Sequence, residues 1–387
     1  MYRTARPDRC HFIAAETLPW LSLIGERRIR VAGNALGMVM TTEAVKKQQQ
    51  LTASRDAARF DFRPARFLSN PHFQTLIPWA LKIPKYPLNP IRRELQLDDG
   101  DHLVMQDDCP ESWQDGDPVL LLLHGLSGCH QSAYMVRIAG KATARGIRTF
   151  RLDHRGSGAG RGLARHTYHA GLTDDVRAVL AELEHVCAGS PISIASFSLS
   201  ANLMLKLLGE DPEGVPGCLQ RVVAVSPPID LHACVTALGS SFMGRMYDRK
   251  FAKWLQQQVK DSPQWREDVP LAKHIRPVQR VIQFDELYTA PAAGYRDVNH
   301  YYTEASAGQY VPNIKTETLI LIARDDPMVP FQTYENLPPL HSNVQIEATV
   351  HGGHLGFYGT GSTDPDAYWM DWRILEWLFP HVKPPRQ

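Results

Sequence analysis

A single serine separates an extended apolar run from an amphipathic helical one. Residues 191–197, Pro-Ile-Ser-Ile-Ala-Ser-Phe, read as a buried strand, and residues 199–208 carry helical spacing. A chain that passes from strand to helix at one residue must turn sharply there. The positions two before and two after must then be small, because the turn brings backbone segments into close contact. This is the pattern Gly-x-Ser-x-Gly, which presents a serine hydroxyl at the strand–helix junction. Here it reads Ser196-Phe197-Ser198-Leu199-Ser200, with serine in both glycine positions. Ser198 has small residues on both sides, whereas Ser200 would need Asn202 to be small and Ser196 would need Ile194 to be. Ser198 is therefore the candidate nucleophile. Taken alone, the segment also reads as a serine-rich helix N-cap.

The surrounding pattern is one of alternation. Residues 92–108 form a hairpin around Asp98-Asp99-Gly100-Asp101. Apolar runs at 118–123, 147–152, 192–197, 222–225, 319–323 and 344–350 read as strands. Helical spacing appears at 132–144, 169–186, 199–208 and 369–378. Strands alternating with helices predict an α/β fold with a mostly parallel central sheet and helices on both faces. The alternation stops between Ser226 and Pro312, where aromatic residues gather: Phe242, Tyr247, Phe251, Trp254, Trp265, Phe284, Tyr288, Tyr295, Tyr301 and Tyr302. Residues 231–311 are read as a helical lid inserted over the C-terminal edge of the sheet, where ligands bind in such folds. Large residues in it, Phe242 and Trp254 for example, are expected to set substrate preference. Residues 1–55 lack a sustained period and are read as an extension with little fixed structure, leaving 56–387 as the domain.

Composition narrows the function classes. Of 387 residues, 43% are hydrophobic and 21% charged, as in a soluble globular protein, and the net charge of +1 gives no field to attract nucleic acid. No apolar run reaches the ~18–20 residues that span a bilayer. The six cysteines show no Cys-x-x-Cys pairing, which speaks against a zinc framework or a disulfide scaffold and suits a reducing, cytoplasmic setting.

A serine hydroxyl needs a base, and the base needs an acid to orient it. The strand at 319–323 runs into Arg324-Asp325-Asp326-Pro327, and Asp326, fixed before a proline, is preferred to Asp325 as that acid. The last strand runs into His351-Gly352-Gly353-His354-Leu355-Gly356-Phe357, and His354, after the glycine pair, is preferred to His351 as the base. The glycines there allow close backbone approach and leave room around an imidazole. Upstream, residues 120–123 run into His124-Gly125-Leu126-Ser127-Gly128. The backbone N–H groups of Leu126 and Leu199 are the candidate donors to an oxyanion. The glycines of 156–162 recur at every second residue and do not meet Gly-x-Gly-x-x-Gly, and His-Glu-x-x-His is absent. Neither a dinucleotide nor a metal is expected.

Together these motifs resemble the YheT-like hydrolases, the AB hydrolase 4 family, from about Phe60 to the C-terminus. The resemblance is also carried by Asn70-Pro71-His72-Phe73-Gln74-Thr75-Leu76, Asp153-His154-Arg155-Gly156 and Phe284-Asp285-Glu286 with Tyr301-Tyr302. It implies an α/β-hydrolase fold, carboxylic-ester hydrolysis without a cofactor, and a triad of Ser198, Asp326 and His354. The expected partner is a small-molecule or lipid ester, with peripheral membrane contact left open. This chain departs from the family at the elbow, where Ser196, Ser200 and Ala201 stand in place of three glycines. An acyltransferase using the same acyl-enzyme, or a non-catalytic binding module on the same scaffold, are the other readings.

Overall fold

The five residues Val119–Leu123 have no exposed surface, and their side chains divide between two hydrophobic clusters. Leu120 and Leu122 point into one, and Val119, Leu121 and Leu123 into the other. That is the two-residue period of a strand covered on both faces. In the structure, a computed structural model, residues 60–81, 84–262, 278–359 and 363–382 are described. The extension at 1–55 and Trp265 lie outside them.

Eight strands form one sheet: β1 (Ile91–Gln96), β2 (His102–Asp108), β3 (Val119–Leu123), β4 (Arg148–Asp153), β5 (Ile192–Phe197), β6 (Leu219–Val225), β7 (Glu317–Ala323) and β8 (Val344–Thr349). Their order is β1-β2-β4-β3-β5-β6-β7-β8. Only β2 runs against its neighbours. The hairpin falls where the sequence placed it: Gln96 pairs with His102, and Gly100 takes the left-handed conformation (φ 85°) that the tight turn requires.

The longer helices among the described residues are α1 (Pro71–Ala80), α2 (Ala133–Thr143), α3 (Thr173–Val186), α4 (Leu199–Glu210), α5 (Leu231–Ser240), α6 (Phe242–Asp261), α7 (Val298–Ala305) and α8 (Trp369–Leu378). Helices α3 and α4 bury their apolar stripes on one face of the sheet, through residues such as Val179 and Leu203. Helices α2 and α8 cover the other face, through Ile138 and Ile374 among others. The mostly parallel, doubly covered sheet is the α/β-hydrolase fold. Helix α1, to which the sequence reading gave no secondary structure, starts on a local signal. Asn70 accepts hydrogen bonds from the His72 and Phe73 N–H groups (2.9 and 3.4 Å), and Pro71 takes the first helical position. Among the described residues no helix is long and apolar enough to cross a membrane.

Between β6 and β7 the chain leaves the sheet. Helices α5, α6 and α7 are capped by Asp230, Ser241 and Asp297, each accepting from an N–H in the first turn. With the helical stretch at 281–292 they build a third cluster around Val235, Leu255, Phe284, Tyr288 and Tyr302. Leu126 and Leu199 pack against it from below.

Helices α2 and α8 are also joined by buried charge. Asp371, fully buried, bonds Arg137 Nε at 2.9 Å and Lys141 Nζ at 3.0 Å. Burial alone would raise its carboxyl, but Arg137 and Lys141 hold it below the ordinary value. Removing the carboxylate leaves the buried Arg137 without its counter-charge, while Lys141 keeps Asp366 at 2.8 Å. Asp371→Ala is expected to cost about 3–5 kcal/mol, read as a lower midpoint in urea denaturation.

Candidate active site

All five candidate positions leave the sheet at its C-terminal edge. Ser198 lies directly between β5 and α4 with φ 52° and ψ −120°. A serine at positive φ is strained and persists only where its surroundings enforce it. Its N–H donates to Val225 O at the end of β6 (2.8 Å). The loop after β3 closes on the other side. A Cβ at Gly125 would stand 3.0 Å from Ser198 Cβ and 3.1 Å from Phe197 O.

The serines that replace the elbow glycines bring hydroxyls that must be satisfied inside the fold. Ser196 Oγ donates to Val223 O (3.3 Å). Ser200 Oγ donates to His124 O and lies 2.8 Å from His154 Nε2. Having given its one proton to a carbonyl, Ser200 can only accept from His154, which fixes the proton of that ring on Nε2. The His154 main-chain N–H in turn donates to His124 Nε2 (3.3 Å). Burial lowers the pKa of both imidazoles, His154 strongly, so the network is neutral. Ser200 thus ties the first turn of α4 to the loops after β3 and β4.

Asp326, His354 and Ser198 form one chain of contacts. His354 Nε2 lies 2.9 Å from Ser198 Oγ, and His354 Nδ1 lies 2.8 Å from Asp326 Oδ2. An ionised carboxylate only accepts, so this geometry suits the tautomer with the proton on Nδ1, in which Nε2 can accept from the hydroxyl. The other carboxylate oxygen accepts from the Met328 and Val329 N–H groups (2.8 and 3.0 Å), which fixes its orientation. The neighbours form a second pair. Asp325 binds His351 Nδ1 at 3.1 Å and the Gly353 N–H at 2.9 Å. That pair is the more exposed, with side-chain exposures of 18% and 38% against 3% for Asp326 and 6% for His354.

The support for His354 comes from α1, and sequence reasoning missed it. Thr75 Oγ1 accepts from the His354 N–H (2.9 Å) while donating to Pro71 O (2.8 Å). Gln74 accepts from the Tyr358 N–H (2.9 Å) and donates to Leu68 O (2.7 Å). A Cβ at Gly353 would stand 2.5 Å from Pro71 O, and one at Gly356 would stand 2.1 Å from Gln74 O. The glycines around His354 therefore admit α1 against the loop. The motif Asn70 to Leu76 was visible in the sequence, but its partner across the chain was not.

One cavity opens on Ser198 and His354 and is also lined by Leu126 and Leu199. Leu231, Val235, Phe251, Leu255, Val281 and Tyr301 form much of its wall. The expectation for Phe242 and Trp254 is corrected here. Phe242 begins α6 and is 70% exposed, and neither residue lines the cavity. Phe251 and Leu255, one helical turn apart, are the α6 residues that face it.

The Asp153-His154-Arg155-Gly156 motif is built into the framework. Arg155 is buried and bonds Asp101 (2.8 Å) and Asp175 (2.7 Å). Among the described residues, Cys129, His130 and Asp153 bring ligand-type atoms within 4.8 Å of one another. The Asp153 carboxylate there already accepts from the His130 and Ala159 N–H groups (2.7 and 2.9 Å).

His169 also lines the cavity and accepts from the Gly171 N–H (3.2 Å). Burial, then Arg155 and His166, push its pKa from 6.5 down to about 4. Between those values the unfolded chain binds a proton that the folded one does not, so stability falls as pH drops through that window and is unaffected above it. In His169→Gln, which keeps an acceptor, the decline in Tm from pH 6.5 to pH 4 should shrink by about 2 °C or more, read by calorimetry on both proteins.

Residues 118–359 match the family described as alpha/beta hydrolase fold. The chain is 29% identical over 336 residues to "Putative esterase YheT" of Escherichia coli (strain K12), covering 86% of this chain and 96% of that one. It is 28% identical over 263 residues to the monoacylglycerol lipase of Saccharomyces cerevisiae, covering 65% of this chain and 57% of that one. Among solved structures, 2,6-dihydroxy-pseudo-oxynicotine hydrolase aligns with a TM-score of 0.50 at 17% identity, covering 82% of this chain and 74% of that one, a likeness of fold alone. The matched family segment runs from the start of β3 past the His354 loop, more than half of the chain, and the protein belongs to the alpha/beta hydrolase fold family.

Proposed function

We propose that the protein is a serine hydrolase that cleaves carboxylic esters through an acyl-enzyme on Ser198. One observation carries this reading: the unbroken run of contacts from Ser198 Oγ through the His354 ring to Asp326, with distances of 2.9 and 2.8 Å. His354 Nε2 takes the hydroxyl proton as Ser198 Oγ attacks the ester carbonyl. Asp326 keeps the ring oriented and stabilises the imidazolium that forms. The carbonyl oxygen becomes an oxyanion, and the N–H groups of Leu126 and Leu199 are its proposed donors. The Leu199 N–H opens α4, where first-turn N–H groups lack helical partners and the helix dipole is positive. On collapse the alkoxide leaves with the proton from His354. Water, deprotonated by the same ring, then attacks the acyl-enzyme, and the acid departs as Ser198 recovers its proton.

The names of the two relatives, an esterase and a lipase, support an ester as substrate. The apolar wall built by Leu231, Val235, Phe251 and Leu255 suits an acyl chain, as ligand cavities generally do. Residues 231–311 act in this reading as a lid, and its hydrophobic cluster rests on Leu126 and Leu199.

Ser198→Ala should lower kcat for ester hydrolysis on the order of 10^4-fold or more, because the three residues act as a unit. It should also abolish labelling by a fluorophosphonate probe. Retained hydrolysis or labelling in that variant overturns the assignment.

Asp326→Asn is expected to lower kcat by about 10^4-fold. Asp325→Asn, which disturbs only the clasp on His351 and Gly353, should cost far less. Equal losses in steady-state kinetics would show that the two carboxylates do not have separate roles.

A further inference from the structure

Among the described residues, the cavity over Ser198 is lined by one carboxylate, that of Asp285, 7% exposed on the lid side of the wall. Its two oxygens each accept one hydrogen bond, from Thr289 Oγ1 (2.6 Å) and from Tyr302 Oη (2.7 Å). A carboxylate offers about four acceptor positions, so roughly half of its capacity is unused. Among the described residues no cation pairs with it. Nearby Asp248 has Arg280 at 3.1 Å, whereas Asp285 has only hydroxyls. A buried carboxylate without a counter-charge is costly. Burial accordingly pushes its pKa up to about 6.

A purely structural role does not account for the charge. The two hydroxyls each donate to one carboxylate oxygen and carry no charge, so they leave the anion itself uncompensated. The backbone marks the same place. Residues Asp285–Thr289 form a π-helical turn set between helical residues on either side. Such a widened turn is rare and is frequent at functional sites. This one carries both Asp285 and the hydroxyl that orients it.

We propose that Asp285 receives a hydrogen-bond-donating group of the substrate, a hydroxyl or an ammonium, so that the preferred esters carry such a group in addition to the ester itself. The inference rests on the esterase reading above and specifies its substrate class. The donor completes the acceptor set that Thr289 and Tyr302 leave open, and an ammonium would also neutralise the buried charge. In this role Asp285 determines specificity and takes no part in bond breaking.

The test compares propyl octanoate with three esters that add one donor group or set: glycerol monooctanoate, 3-(dimethylamino)propyl octanoate and propyl 8-hydroxyoctanoate. Wild-type protein should show kcat/KM at least 10-fold higher for one of the three than for propyl octanoate. In Asp285→Ala the ratio of kcat/KM for the preferred ester to kcat/KM for propyl octanoate should fall to about one, whatever the change in the absolute rates. Asp285→Asn separates the two donors, because it keeps an acceptor but loses the charge. It should retain part of a preference for a hydroxyl and lose a preference for an ammonium. Equal rates of the wild type on all four esters, or variants that slow all four in the same proportion, would overturn the proposal. Fluorophosphonate labelling of Ser198 in the wild type keeps the two ideas apart. Labelling with no ester preference defeats the role of Asp285 alone, and absence of both labelling and hydrolysis in the wild type defeats the esterase reading with it.

Discussion

The turn at Ser198 is the constraint around which the other parts are arranged. A serine at φ 52° is unfavourable in an isolated chain, and three pieces of the fold close on it. β6 takes its N–H through Val225 O. Gly125 brings the loop after β3 into contact with it. Ser200 binds that loop and the loop after β4 from the first turn of α4. The position of Leu126 follows from the same closure, because Leu126 succeeds Gly125 in the loop that touches the elbow. The turn and the loop that faces it are therefore one packed unit, not two features that happen to be near.

Serine in place of glycine changes how that unit is held. A glycine at 200 would allow a tight approach with no side chain to satisfy. Ser200 instead adds a hydroxyl in a fully buried place, and such a group costs free energy unless it is bonded. Here it is bonded on both sides, to a carbonyl and to an imidazole whose low pKa keeps it neutral. A charged His154 beneath the elbow would introduce an uncompensated cation. The substitution of Gly by Ser and the burial of two histidines thus form one arrangement, in which neither part is free to change alone.

Much of this was legible locally. The strands, the principal helices and the β1–β2 hairpin follow from period and turn chemistry, since each depends on residues close in sequence. Asp326 and His354, the pair preferred on the sequence, lie in contact with Ser198, and Asp325 and His351 pair with each other. What was not legible depends on contacts across the chain. Thr75 meets His354 over a separation of 279 residues, and no periodicity in either segment announces it. The lid shows the same limit. Its aromatic richness was evident, but which rings face the cavity depends on how α6 is rotated. That rotation is set by the packing of Ala252, Leu255 and Val259 into the lid's own cluster. Phe242, at the start of the helix, ends in solvent for that reason.

The insertion and the sheet are joined beside the proposed nucleophile. Asn202, one turn into α4, donates to Ala305 O at 2.8 Å and accepts from the Ala307 N–H at 2.9 Å. The end of α7 is thereby fastened to the same helix that begins at Ser198. Tyr301 and Tyr302 lie in α7, and Tyr302 holds Asp285. A continuous set of bonds thus runs from the elbow helix through α7 to the carboxylate on the opposite wall. From α1, His72 Nδ1 reaches Tyr247 of α6 at 3.1 Å, so the helix that supports the His354 loop also touches the lid. Displacement of the lid would therefore have to break contacts that support both sides of the Ser198–His354 pair. The wall proposed to select a substrate and the groups proposed to act on it are held in one frame.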